Sequence, residues 1–148
     1  MAVLPQLGPV HHVRLTVSDV AKSRAFYTEV LGLEVAMDGP PPKDDPHYEL
    51  TVENLQGGIV LTNGTMLLGL RPMDAGNLEN RDSFTPFRAG LDHLSFSVGS
   101  REDLEAAAIA LDKIGVSRGE LADLPMFGIA VLPIQDPDGI QLELTAPL

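Results

Sequence analysis

There is no cysteine among the 148 residues. That absence removes disulfides, thiolate metal sites and cysteine nucleophiles together, and it suits a cytoplasmic setting. Positive charge is scarce as well. Ten Lys and Arg stand against 21 Asp and Glu, a formal net charge of -11 with a pI near 4.5. Such a field repels phosphates and argues against nucleic acid or an anionic membrane as partner. A strongly anionic substrate would need a local arginine to offset it. No apolar run approaches the length that spans a bilayer. The opening MAVLPQLGPVHH has neither a basic n-region nor a long apolar core, so no signal peptide is expected.

What the chain does have, it writes twice. Val10 to Asp19 reads VHHVRLTVSD, and Leu91 to Ser100 reads LDHLSFSVGS. Placing His12 on His93 puts Val13 on Leu94, Leu15 on Phe96, Val17 on Val98 and Asp19 on Ser100. Both copies alternate apolar and polar residues, the pattern of a strand with one face on a core and the other wetter. His12, Arg14 and Thr16, and likewise His93, Ser95 and Ser97, share the wetter parity. His11 is then expected on the opposite face, as a surface or interface residue.

Each copy runs into a helix. Ser18 or Asp19 can cap the first, which carries Val20, Ala25, Phe26, Val30 and Leu31 on one stripe and stops at Gly32. The second starts near Arg101, with Leu104, Ala107, Ala108, Leu111 and Ile114 on one face, and stops at Gly115. Strand material follows in both halves. In the first it is expected at Leu33–Ala36, Tyr48–Val52, Gly58–Thr62 and Thr65–Leu70, with a hairpin at Asn63-Gly64. In the second it is expected near Val116, at Gly128–Ile134 and at Ile140–Leu144, the last after the turn Asp136-Pro137-Asp138-Gly139. The segment from Arg71 to Gly90 lacks periodicity and reads as a linker rather than a lid. Phe84 and Phe87 within it are placed to cover a pocket or a subunit contact. The fold class is α+β, two modules of strand, helix and three strands. One domain spans 1–148, with module one about 10–72, a linker about 73–90 and module two about 91–148. Neither module is large enough to be comfortable alone.

In the closing strand, IQLELTAP, Ile140, Leu142 and Leu144 alternate with Gln141, Glu143 and Thr145. His12, His93 and Glu143 therefore all fall on the polar parity of strands that otherwise pack on helices. A strand glutamate between leucines is costly to bury unpaired, and a cation offsets that cost. Two imidazoles and a carboxylate form the ligand set of a facial triad, which keeps positions open on iron(II), zinc, manganese or nickel.

The segments HHVRLTVSDVAKSRAFYTEVLGLEV, GLDHLSFSV and DPDGIQLELTAP resemble the vicinal-oxygen-chelate superfamily, which includes glyoxalase I, bleomycin-resistance proteins, extradiol dioxygenases and methylmalonyl-CoA epimerase. The resemblance covers nearly the whole chain in order. It implies paired βαβββ modules whose curved mixed sheets enclose a cavity with a metal at its floor. It places the family's first ligand on His12, the third on His93 and the fourth on Glu143. The second belongs on the strand that matches Ile140–Leu144, where Gly69 stands. No histidine, acid or amide occurs from Thr65 to Met73. In glyoxalase I an arginine that contacts glutathione lies four positions after the first ligand; here that position is Thr16. Both departures argue against a glutathione-dependent glyoxalase, and three ligands match the dioxygenase arrangement better.

The expectation is a cytoplasmic homodimer with one divalent ion on His12, His93 and Glu143, acting on a small substrate with vicinal oxygens as a dioxygenase, lyase or isomerase. The alternative is a resistance-type protein that binds an antibiotic or metabolite without metal. Arg14, Tyr48, Phe84, Phe87, Met126 and Phe127 are the expected substrate contacts. Arg14 either holds a substrate carboxylate or enolate, or pairs with Glu49 or Glu143. Glu49 and Glu53 are either a catalytic base or exposed strand carboxylates.

Overall fold

A computed structural model describes residues 7–148; the first six residues of the lead-in before Pro9 lie outside the described residues. The chain divides into two compact units, Met1–Arg81 and Asp82–Leu148. Each contains the strand, helix and three strands that the duplication foretells.

In unit one, β1 (His12–Val17) buries Leu15 and Val17 and exposes His12, Arg14 and Thr16, the alternation read from its sequence. Asp19 caps α1 (Val20–Ala25), its carboxylate accepting from Lys22 N at 3.0 Å. The helix continues through Phe26–Val30 as a wider π turn that buries Phe26 and Tyr27. Then come β2 (Glu34–Met37), α2 (Tyr48–Leu55), β3 (Ile59–Thr62) and β4 (Leu67–Pro72). The sheet order is β1-β4-β3-β2, with β1 parallel to β4 and the other pairs antiparallel. The expected hairpin joins β3 to β4. Its Asn63 Oδ1 accepts from Thr65 N at 3.1 Å and Met66 N at 3.0 Å, and Gly64 takes φ 88°. The short α3 (Ala75–Glu79) closes the unit, capped by Asp74.

Unit two repeats the order with β5 (Leu94–Ser97), α4 (Arg101–Ile114), β6 (Ala122–Leu124), β7 (Ile129–Gln135) and β8 (Gln141–Pro147). Its sheet runs β5-β8-β7-β6, again with the first pair parallel. Ser100 caps α4, and Gly115 ends it at φ 72°. Leu104 and Leu111 bury its core face while Ile114, expected on that face, lies 61% exposed. The Asp136–Gly139 turn is held by Asp136 Oδ1, which accepts from Asp138 N at 2.9 Å and Ile140 N at 2.8 Å.

Three expectations are corrected. Tyr48–Val52 is helix, not strand. Tyr48, Leu50 and Val52 imitate a period of two, yet Leu50 and Val52 are exposed and the buried anchor is Leu55. Side chains stitch the helix locally: Thr51 Oγ1 donates to His47 O at 2.8 Å and Asn54 Nδ2 to Leu50 O at 2.7 Å. Near Val116 the strand material shrinks to one antiparallel bridge, Arg118 to Ile134, because the Val116 N–H closes α4 on Leu111 O at 3.0 Å. The second strand of the unit comes later, at Ala122–Leu124. Within Arg71–Gly90, β4 extends through Pro72 and α3 forms behind its Asp74 cap. No helix among the described residues is long and apolar enough to cross a membrane.

Candidate functional site

In unit two, His93 stands immediately before β5 and faces Glu143 on β8. His93 Nε2 lies 3.9 Å from Glu143 Oε1. His93 Nδ1 is 2.5 Å from Asp92 Oδ1. An ionised carboxylate only accepts, so Nδ1 is the donor in that contact, and Nε2 is the nitrogen that faces Glu143. A distance of 3.9 Å is too long for a hydrogen bond. The same oxygen of Glu143 is also held from within β8. Thr145 Oγ1 donates to Glu143 Oε1 at 3.0 Å, and Thr145 meets Ser95 Oγ at 2.5 Å. Thr145 has a single hydroxyl proton, already given to Glu143, so Ser95 is the donor to Thr145.

Unit one carries the counterpart with a different filling. His12 opens β1, and its ring meets that of His11 edge-on, with centroids 5.2 Å apart and the two Nδ1 atoms at 3.0 Å. The expectation that His11 faces away is therefore corrected: His11 precedes the strand, so alternation does not govern it. It does at His12 what Asp92 does at His93, contacting Nδ1 from the preceding position. Where His12 is the donor in that contact, its Nε2 is the free ligating nitrogen.

The ladders show what happened at the missing fourth position. Arg14 pairs with Gly69 across β1 and β4, as Ser95 pairs with Glu143 across β5 and β8. Gly69 is thus the structural counterpart of Glu143, as the sequence alignment of the two halves requires. A Cβ on Gly69 would meet Arg14 Cγ at 3.0 Å. The arginine stem lies across the glycine, and its Nη2 donates to Leu55 O at 2.8 Å, at the end of α2. Of the expected partners of Arg14, Glu49 is not the one it takes here. The corner that presents this carbonyl is tight: Gly58 N also bonds Leu55 O at 2.9 Å. A Cβ on Gly58 would come within 2.1 Å of Leu70 O. Arg14, His12 and Asn54 line a cleft of about 260 Å³ whose apolar walls include Leu55, Val60 and Leu67.

The remaining predicted contacts lie apart from this cleft or in the other unit. Tyr48 is half-buried at the first turn of α2, and Glu49 and Glu53 are exposed on that helix. In unit two Phe84 is half-buried, Phe87 is 95% exposed, and Met126 and Phe127 stand on an exposed 3₁₀ turn, Pro125–Phe127. Within each unit, no group of three or more His, Asp or Glu side chains is gathered among the described residues. Sequence reading missed Asp92, Thr145 and Leu55 as parts of the site. Asp92 had a signal in the polar residue that precedes both repeated histidines. Leu55 had none, because its contribution is a backbone carbonyl.

Two units of β-α-β-β-β, each with a histidine at the head of its first strand, define a vicinal-oxygen-chelate protein. The chain belongs to the glyoxalase/bleomycin resistance protein/dioxygenase superfamily, whose family model matches residues 10–144. It is 30% identical over 139 residues to the uncharacterized protein YwkD of Bacillus subtilis, covering 93% of this chain and 96% of that one. It is 30% identical over 138 residues to the uncharacterized protein YaeR of Escherichia coli, covering 93% and 95%. Among solved structures, a glyoxylase/bleomycin resistance protein/dioxygenase domain from Frankia sp. EAN1pec matches with a TM-score of 0.72. The two are 31% identical, over 97% of this chain and 94% of that one.

Proposed function

We propose that this protein is a cytoplasmic, homodimeric divalent-metal enzyme that acts on a small substrate with oxygens on neighbouring atoms. His12, His93 and Glu143 would hold the ion, which would be iron(II), zinc, manganese or nickel. The observation that carries the reading is the His93–Glu143 pair. An imidazole nitrogen and a carboxylate oxygen face each other at 3.9 Å, with Asp92 on the Nδ1 side of the ring. Metal–ligand bonds of about 2.1 Å each reach across such a gap, and a carboxylate behind a ligating histidine is the usual orienting partner. The donor set fits a borderline divalent ion, since it is imidazole and carboxylate with no thiolate.

A bound divalent ion would supply Lewis acidity toward the two neighbouring oxygens of the substrate. The protein groups do the positioning. Asp92 keeps the His93 ring oriented, and the Ser95–Thr145 hydroxyl pair keeps Glu143 turned toward it. With Gly69 in place of a fourth donor, the side chains would offer an ion three ligands. The same exchange puts a fixed positive charge, Arg14, on the polar face of β1.

The test is metal content of the purified, reconstituted protein beside His93→Ala and Glu143→Gln, read by elemental analysis. Stoichiometric metal in the wild type that falls in both variants is the expected result. Substoichiometric metal that neither variant changes would sink the reading. Ligand-induced thermal shifts that persist in chelator would move the assignment to the metal-independent antibiotic- or metabolite-binding class.

A further inference from the structure

The cleft of unit one has an amphiphilic design. Arg14 and His12 form its polar wall, two residues apart on one face of β1, so about 6.6 Å separates their positions along the strand. Leu67, Val60 and Ile59 supply apolar surface. At about 260 Å³ it lies just under the ~300–1,000 Å³ of pockets for drug-sized ligands, which leaves room for a metabolite of a few carbons. Arg14 is not a loose surface cation. Its stem rests on Gly69 and its Nη2 is tied to Leu55 O, so the guanidinium is held in the cleft wall before any ligand arrives. A planar guanidinium fixed in this way recognises a carboxylate better than a flexible ammonium would. In a chain with a net charge of -11, an anion has little else to draw it in.

We propose that this cleft binds a small monocarboxylate with a short apolar tail and an oxygen on the carbon next to the carboxylate, a 2-oxo or 2-hydroxy acid. The carboxylate sits on Arg14, the tail lies against Leu67 and Val60, and the neighbouring oxygen is directed along the strand toward His12. The inference rests on the proposed metal site for its chemistry at His12, but the acid subsite itself is formed within unit one. Arg14 is then the residue that selects acids over neutral analogues.

The experiment is calorimetric titration of the full chain with 3-methyl-2-oxobutanoate and with its methyl ester, in chelator, so that failure of the metal site leaves the result unaffected. The acid is expected to bind at least tenfold more tightly than the ester. Arg14→Gln should bring the two within about twofold by weakening the acid alone, while Arg14→Lys retains part of the preference. Gly69→Ala is the second variant. It keeps the charge, but its Cβ would stand 3.0 Å from Arg14 Cγ and make the stem give way, so the acid preference should fall although the guanidinium remains. Melting curves report whether each variant is folded. Equal affinities for acid and ester in the wild type, absence of binding by the acid, or an undiminished preference in folded Arg14→Gln would overturn the proposal.

Discussion

Arg14 and Gly69 face each other across the parallel β1–β4 ladder, and the arginine stem occupies the space a side chain at position 69 would need. The same ladder position in the other unit pairs Ser95 with Glu143. Large against small in one unit, small against large in the other: the two pairs fill equivalent volume with opposite charge. Gly69→Glu alone should clash with Arg14, whereas Arg14→Ser with Gly69→Glu rebuilds the Ser–Glu arrangement. The double variant is expected to be more stable than Gly69→Glu by about 1–2 kcal/mol, a coupling measurable by urea denaturation of all four species. Strict additivity would show that the two positions do not share space.

Asp92 and Thr145 touch the proposed ligands rather than the ion. Asp92→Asn and Thr145→Val should each weaken binding of zinc or manganese by about 10–100-fold, in line with the loss of an orienting partner. Melting temperatures should change little, since Asp92 is exposed and valine matches threonine in shape. Competition titration against a chromogenic chelator reads the affinity. Unchanged affinity in both variants would remove them from the site.

Gly58 is the hinge pin of the corner that anchors Arg14. Any Cβ there meets backbone, Leu70 O at 2.1 Å and Leu55 O at 2.9 Å, and backbone in a ladder cannot step aside as a side chain can. Gly58→Ala is expected to destabilise the fold by about 3 kcal/mol, the upper range for an overpacked site. Denaturant melts measure it, and a near-neutral outcome would mean the α2–β3 corner yields.

Ser23 is 1% exposed on the core side of α1, and its hydroxyl has no hydrogen-bond partner among the described residues. Alanine removes an unsatisfied polar group and improves helix propensity at once. Ser23→Ala should therefore raise stability by about 1 kcal/mol in thermal or urea unfolding. A loss of stability would indicate that the hydroxyl is bonded in solution.

Asp112 and Arg118 join the end of α4 to the segment beyond it through two bonds, Nε to Oδ1 at 2.8 Å and Nη2 to Oδ2 at 2.7 Å. The hydrogen bonds from Arg118 lower the Asp112 pKa below its ordinary value of 3.8. A carboxylate whose folded pKa is depressed contributes stability above its unfolded pKa and loses it as pH falls through the folded one. Wild type should therefore exceed Asp112→Asn in melting temperature at neutral pH. The gap should close as pH is taken below 3.8, a comparison that thermal scans across that range settle.

The sequence by itself determined the repeat, and with it most of the architecture. Alternation in VHHVRLTV and DHLSFSV placed β1 and β5, the caps Asp19 and Ser100 started the helices, and Asn63-Gly64 and Asp136–Gly139 made the turns. These are local matters of period, capping and backbone freedom, so a linear reading reaches them. It failed at Tyr48–Val52, where a period of two is shared by a strand and by a short helix with an exposed apolar side.

Only the tertiary structure decided how the site residues are held. A polar residue precedes both repeated histidines, but the chain does not say that His11 and Asp92 take the Nδ1 of the histidine that follows, or that Ser95 and Thr145, fifty residues apart, brace Glu143. Nor does Gly69 reveal in sequence that it is empty because Arg14 lies over it on the way to the carbonyl of Leu55. Strand register brings such groups together, and register is fixed by burying the opposite face of the sheet, not by the polar residues whose meeting it arranges.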